Sequence, residues 1–354
     1  MAKRLDDYRL LGRSGLRVSP LTLGTMTFGA GTWGSTDDDA TKMVDLYVGH
    51  GGNFIDTANF YGNMGQSEEL LGRLVKGRRD SLVISTKYSL TTRPGDPNAA
   101  GNHRKNMVRA VEDSLRRMGT DYIDLYYLHA WDFRTPADEI LRAFDDLVRA
   151  GKILYIGLSD TPAWQASRMQ AIAELRGWSQ FCALQISYSL MERTVEREMI
   201  PMAREMGMGV CPWSPLGGGI LSGKYSQDDL PKSGNAPLDM SSRKGINVAT
   251  GRLSERNLTI AATVGEIAKE VGRTSPQIAI AWTLQSPAVA SPVLGARTPA
   301  QLEDNLAALD VELSADHLAR LDAVSAVPSV FPLDMLKGPA APRMFGNVKV
   351  EERG

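Results

Sequence analysis

The chain has 354 residues, of which 43% are hydrophobic and 23% charged, with 40 basic and 41 acidic side chains and a formal net charge of −1. That length fits either two ordinary domains or one large α/β barrel, and the composition excludes a disordered chain. The near-neutral balance argues against a strongly basic nucleic-acid binder. Cys182 and Cys211 lie far apart with no C-x-x-C spacing, so neither a disulfide framework nor a cysteine zinc site is expected. The opening MAKRLDDYRL carries no apolar run of the secretory type. The most apolar stretch, 277–296, is interrupted by Ser286, Pro287, Ser291 and Pro292, which speaks against a membrane span. The expectation is a cytoplasmic protein with reduced thiols and no membrane or nucleic-acid partner.

Taken in chain order, RLLG and LRVSP flank Arg13-Ser14-Gly15 and predict an N-terminal hairpin. LTLG (21–24) predicts a buried strand, followed by a helix opened by Thr36 and the acidic Asp37, Asp38 and Asp39, which suit a helix N-terminus. NFID (53–56) precedes a helix from Ser67. LVIST (82–86) precedes a helix near 104–118, and IDLYYLH (123–129) one near 137–150. ILYIGLS (153–159) leads to a helix near 162–176, and CALQI (182–186) to one near 194–206. MGVCPW (208–213) follows, then a helix from about 254, a helix ending in QIAIAWTL (277–284), ASPVLG (290–295) and a helix from Thr298.

Eight strand–helix units result, with short strands that are apolar on both faces, as parallel strands covered by helices require. Most strand ends fall about 25–40 residues apart, near the size of one βα unit. No linker or composition shift divides the chain. The pattern predicts an α/β fold: a single (β/α)8 TIM barrel over 1–354, with a core of about 8–325 and a site at the C-terminal strand ends. A long loop after the seventh barrel strand, from Trp213 to about 254, reads as a lid. The irregular segment 326–354 is expected to drape over the barrel or remain mobile.

Gly29-Ala-Gly-Thr-Trp-Gly34 matches G-x-G-x-x-G between a strand and a helix, with Asp56 downstream. In a dinucleotide-binding turn, however, the first glycine follows the strand at once and the third lies inside the helix. Here the glycines begin late and Gly34 precedes the cap, so a flexible first βα loop is the better account. No Walker A loop is present, and none of the ten tyrosines has a lysine four residues on. His50, His103, His129 and His317 show no metal-ligand spacing, so no metal is expected.

Chemistry concentrates elsewhere. Asp56, Lys87 and His129 end three successive predicted strands, and in a barrel those ends share one rim. A charge there is costly to bury without a partner, and Asp56 and Lys87 form a natural pair. An ordinary rim ion pair beside a polar histidine remains the plain alternative. Tyr61, one short loop beyond Asp56, reaches the same rim. Beside an ammonium its phenolate is favoured, which predicts a lowered pKa and a general acid for a carbonyl oxygen. His129 would orient that oxygen. With no nucleophile or metal in the set, the electrons must come from a cofactor, and hydride transfer completes the chemistry.

G-N-F-I-D-T-A-N-F-Y-G, with Asp56, Tyr61, Lys87 and His129 in order and spacing, resembles the aldo-keto reductases over most of 8–325. GLSDTPAW, the Tyr188-Ser189 pair after Gln185, and PWSPLGGGILSGKY resemble the aryl-alcohol-dehydrogenase-like and potassium-channel β-subunit-like branch. The resemblance implies NADP(H) extended across the barrel top. It places Ser159 and Gln185 at the nicotinamide carboxamide, with Trp213 stacked on the ring, and counts Gly24, Thr25 and Asp56 among the cofactor-binding residues. Ser214, Pro215, Leu216, Gly217, Gly219, Leu221 and Lys224 match the pyrophosphate segment, where glycines let backbone amides approach phosphate. GARTPAQLEDN, which begins at Gly295, matches the adenosine end, with Arg297 and Gln301 at the 2′-phosphate and Asp304 and Asn305 at the adenine.

Two departures stand out. The family often has Asn where this chain has Asp160, and an ionised carboxylate accepts hydrogen bonds but donates none. Many members also have Lys-Ser where Gly295-Ala296 stand, which leaves Arg297 as the main cation for a 2′-phosphate.

Met26, Trp33 and Trp131, with Tyr61 and His129, are the candidate substrate contacts. They imply a small-molecule aldehyde or ketone with a bulky apolar or aromatic body. The alternative is a slow-turnover regulatory or redox-sensing protein of the channel β-subunit type. A homo-oligomer is left open.

Overall fold

The computed structural model describes residues 3–231, 242–339 and 341–348. At the N-terminus β1 (Arg9–Leu10) and β2 (Arg17–Val18) pair antiparallel, with Arg9 opposite Val18. The connection depends on Gly12. Its φ of +57° is left-handed, and a Cβ there would meet the Cys182 carbonyl oxygen at 2.3 Å. Leu11 and Val18 are fully buried and join Phe54, Val83, Leu125, Tyr127, Ala183 and Cys211 in one cluster, so the hairpin plugs the floor of the barrel.

The barrel strands are β3 (Thr22–Gly24), β4 (Phe54–Asp56), β5 (Val83–Tyr88), β6 (Ile123–Leu128), β7 (Ile153–Ser159), β8 (Phe181–Ser187), β9 (Gly209–Trp213) and β10 (Val293–Gly295). They pair in parallel in chain order, and β10 closes the ring by pairing with both β9 and β3. Helices α1 (Asp37–Gly49), α2 (Tyr61–Leu74), α3 (Arg104–Met118), α4 (Ala137–Arg149), α5 (Ala163–Arg176) and α6 (Met199–Glu205) follow β3 to β8 in turn. After β9 come α7 (Arg243–Ala249), α8 (Glu255–Val271) and α9 (Ser275–Thr283), and after β10 come α10 (Pro299–Leu306) and α11 (Ala315–Ser325). The fold is a (β/α)8 TIM barrel with an N-terminal hairpin. Its core lies between strands and helices, where Ile84, Tyr88, Tyr126, Phe144 and Leu158 are fully buried.

Local sequence accounts for most boundaries. The Thr36 side chain accepts from the Asp39 amide and starts α1. Thr274 and Gln277 form a capping box at the start of α9, and Gly272 in the left-handed region ends α8. Two expectations need correction. The helix near 194–206 is a 3-10 turn, Thr194–Glu196, followed by the shorter α6. Pro201 has no amide hydrogen and its ring opposes the carbonyl of residue 197, so the α-helix starts only at Met199. The segment after β9 is not one irregular loop. It contains 3-10 turns at Gly217–Ser222 and Gln227–Asp229, then α7, while 232–241 fall outside the described residues. The regular part of α2 starts at Gln66, one residue before the expected Ser67, because Gly62, Asn63, Met64 and Gly65 all have positive φ directly after Tyr61.

Beyond α11, Arg197 donates to the Pro328 carbonyl at 2.7 Å. A short helix α12 (Leu333–Leu336) and a 3-10 turn at Ala341–Phe345 then follow along a largely exposed path. No helix among the described residues is long and apolar enough to cross a membrane.

Candidate active site

The parallel register brings Asp56 at the end of β4, Lys87 in β5 and His129 just after β6 to one rim. Lys87 is fully buried and Asp56 almost so. The ammonium donates to Asp56 Oδ2 at 2.5 Å, to the Thr57 carbonyl at 2.7 Å and to Tyr61 Oη at 3.4 Å. Asp56 Oδ1 accepts from Ser85 Oγ at 2.7 Å and from Gln185 Nε2 at 3.0 Å. Both members of a buried ion pair are thus hydrogen-bonded, which such a pair needs to offset its desolvation. Burial alone would lower the Lys87 pKa, but Asp56 and Tyr61 reverse this and hold it above the usual lysine value.

One electrostatic expectation is overturned. Burial, the larger influence, pushes the Tyr61 phenol above its ordinary value, and the attraction of Lys87 offsets this only in part. Tyr61 in this site therefore keeps its proton at ordinary pH. His129 stands edge-on to the Tyr61 ring with centroids 5.9 Å apart. Burial, aided by the Lys87 charge, lowers the His129 pKa to about 3, so the imidazole is neutral. Its Nδ1 is buried with no hydrogen-bond partner among the described residues, which is how a group that binds something else presents itself.

Asp56, Tyr61 and His129 stand at one part of a cavity of about 610 Å³ that runs across the barrel top to Arg297, Gln301, Asp304 and Asn305. Gly24, Ser159, Asp160, Gln185, Trp213, Ser214, Pro215, Leu216, Gly219, Lys224 and Gly295 line it between these ends. Asp160, at φ +39°, accepts from Trp213 Nε1 at 3.1 Å. The left-handed Ser214 accepts from the Gly218 amide through Oγ, and Gly217, Gly218 and Gly219 all have positive φ, so the segment turns in a way few other residues allow. Asp304 is held by Thr274 and Gln277, and Gln301 accepts from the Arg297 amide at 3.0 Å.

Several predicted residues lie off the cavity. Thr25 is buried beneath it, donating to the Asp56 carbonyl and contacting Ser67. Gly217 packs against Met191 and Leu221 belongs to the core; the lining positions of that turn are Gly218 and Gly219. Met26 and Trp33 are walls, but Trp131 is not: it packs edge-on against Phe133, and Phe60 and Leu90 take the wall positions instead. No described residue after Asn305 lines the cavity.

Sequence reasoning missed Arg243 and Arg252, from α7 and the turn after it. Arg243 lies 5.0 Å from the Trp33 ring centroid and Arg252 5.5 Å from that of Trp213. With Lys224 and Arg297 they make four cations on one cavity, and among the described residues none is ion-paired. Burial first, then Arg297 and Arg243, depresses the Lys224 pKa. Cations crowded enough to repel one another are relieved by an anionic ligand. No local pattern in Ser242-Arg243-Lys244 or Gly251-Arg252 signals this, because the return of the chain through α7 brings them to the mouth.

A family model described as "Aldo/keto reductase family" matches residues 20–326. The norsolorinic acid reductase of Emericella nidulans is 37% identical over 94% of this chain and 85% of its own length. An uncharacterized oxidoreductase of Bacillus subtilis is 38% identical over 90% of this chain and 95% of its own. An aryl-alcohol dehydrogenase of Pestalotiopsis microspora is 34% identical over 90% and 82% respectively. With the barrel and the Asp56–Lys87–Tyr61–His129 rim, these matches establish that the chain belongs to the aldo/keto reductase family, whose members are oxidoreductases acting on small-molecule carbonyls.

Proposed function

We propose that the protein is a cytoplasmic, single-domain carbonyl reductase that uses NADPH to convert a bulky apolar or aromatic aldehyde or ketone to the alcohol, reversibly. The observation that carries this reading is the ammonium of Lys87, bonded to Asp56 and to Tyr61 Oη in a cavity that also bears four cations without ion-pair partners among the described residues. Those cations fit a dinucleotide diphosphate with a 2′-phosphate, and the orphaned His129 Nδ1 fits a polar ligand at the rim. Ser159, Gln185 and Trp213 would hold the nicotinamide, the 214–224 segment with Arg243 and Arg252 the pyrophosphate, and Arg297 the 2′-phosphate. When bound, the cofactor supplies the hydride.

The chain's own residues supply the proton and the geometry. Tyr61 keeps its proton until a carbonyl oxygen gains negative charge, and then gives it from Oη. The phenolate left behind lies beside Lys87, which stabilises it, while Asp56 fixes the ammonium in place. The neutral His129 has one N–H for the carbonyl oxygen and brings no competing charge. Met26, Trp33, Phe60 and Leu90 give the substrate an apolar wall, which accords with the aryl alcohol in the name of the Pestalotiopsis relative.

The test is a panel of aromatic and aliphatic aldehydes and ketones with NADPH and NADH, followed at the nicotinamide absorbance band. Sustained NADPH oxidation with aromatic carbonyls is expected. A single burst without turnover would instead favour the regulatory alternative.

A further inference from the structure

We propose that Asp160 is a charge-setting residue that makes the site bind oxidised nicotinamide more tightly than a neutral side chain would, biasing the bound equilibrium toward the alcohol. The inference rests on the nicotinamide reading above. Asp160 follows directly on β7 with a left-handed backbone, a conformation that Asp tolerates better than most residues. Its amide donates to the Gln185 carbonyl and its own carbonyl accepts from the Trp131 amide, which fixes the backbone at this angle. Oδ1 accepts from Trp213 Nε1 at 3.1 Å, and the carboxylate lines the cavity beside Ser159, Tyr61 and Trp213.

No cation among the described residues lies within ion-pair distance of Asp160. Lys87 is committed to Asp56, and Arg252 lies over the Trp213 ring. His129, across the rim, is neutral. The surrounding walls exclude enough water to push the Asp160 carboxyl above its usual range, with the Trp213 N–H and the Lys87 charge acting in the opposite direction. The carboxylate is therefore a poorly compensated negative charge where hydride must leave. The nicotinamide ring is neutral when reduced and carries one positive charge once its hydride has passed to the carbonyl carbon. A fixed carboxylate in the same cavity attracts the second state and not the first.

Asp160→Asn separates this from a merely structural role, because an amide oxygen still accepts from Trp213 Nε1 while the charge is gone. NADP⁺ and NADPH are titrated separately into the wild type, Asp160→Asn and Asp160→Ser, followed by tryptophan fluorescence, with thermal melts reporting folding. Both neutral variants should lose affinity for NADP⁺ by about tenfold and change affinity for NADPH by less than about twofold. That ratio makes the potential of the bound couple about 30 mV more negative in the wild type than in Asp160→Asn. Equal changes for both cofactors in the variant that folds, or none, would overturn the proposal and leave the reductase reading intact. A wild type that binds neither cofactor would overturn the nicotinamide reading and this proposal with it.

Discussion

Lys87 Nζ donates a 3.4 Å hydrogen bond to Tyr61 Oη. The bond is long because the same ammonium is held at 2.5 Å by Asp56 and 2.7 Å by the Thr57 carbonyl. While the phenol is protonated, the stronger acceptors win. Once the proton has gone, the phenolate becomes a second anion, beside Asp56, competing for the ammonium. The arrangement stabilises what Tyr61 becomes more than what it is, the condition under which a contact accelerates a reaction.

Tyr61→Phe removes the donated proton and keeps the ring. Turnover should fall by at least about 10²-fold, the low end for general acid catalysis. NADPH affinity should stay close to wild type, since the proposed role of the phenol is toward substrate. Steady-state kinetics with cofactor titration checks both, and unaltered turnover would remove Tyr61 from the mechanism.

Lys87→Met strands Asp56 without its cation in a buried site. The cost to stability should be about 3–5 kcal/mol, the usual penalty for breaking a buried pair from one side. The double variant Asp56→Asn with Lys87→Met should recover part of that loss, because no charge then remains unpaired. Urea denaturation of the three proteins measures it. A single variant as stable as wild type would mean that water reaches Asp56.

His129 makes stability depend on pH. Its pKa is about 3 in the folded protein and about 6.5 in an unfolded chain, so between these values the unfolded state binds more protons. The stability carried by neutral His129 is complete above pH 6.5 and is lost as pH falls toward 3, at up to about 1.4 kcal/mol per unit. The variant His129→Gln should show a shallower decline in urea midpoint between pH 6.5 and 4.5. Parallel declines in the two proteins would show that the imidazole is protonated in the folded state.

Arg297→Ala should weaken NADPH binding by about 10- to 150-fold, the worth of a charge-assisted hydrogen bond of roughly 1.5–3 kcal/mol, and leave NADH nearly untouched. Arg243→Ala should weaken both cofactors, because both carry the pyrophosphate. Fluorescence titration distinguishes the two patterns. If Arg297→Ala lowers both affinities equally, the preference for a 2′-phosphate lies elsewhere.

Local order was legible because it is set over a few residues. Alternating apolar runs and turn residues marked the eight barrel strands, and Thr36 marked the start of α1, since a cap acts on neighbouring amides. The Asp56, Lys87 and His129 rim could also be read, because successive parallel βα units carry their strand ends to one side of a barrel. What depended on packing could not. The direction of the Tyr61 pKa came from the balance between burial and Lys87, and burial is a property of the assembled walls. Whether Trp131 or Phe60 faces the cavity turned on loop paths, as did the inward face of the glycine turn, where Gly218 and not Gly217 lines the cavity. Arg243 and Arg252 reach the mouth only because the chain after β9 returns through α7 onto Trp33 and Trp213, a contact between segments far apart in sequence that no periodicity encodes.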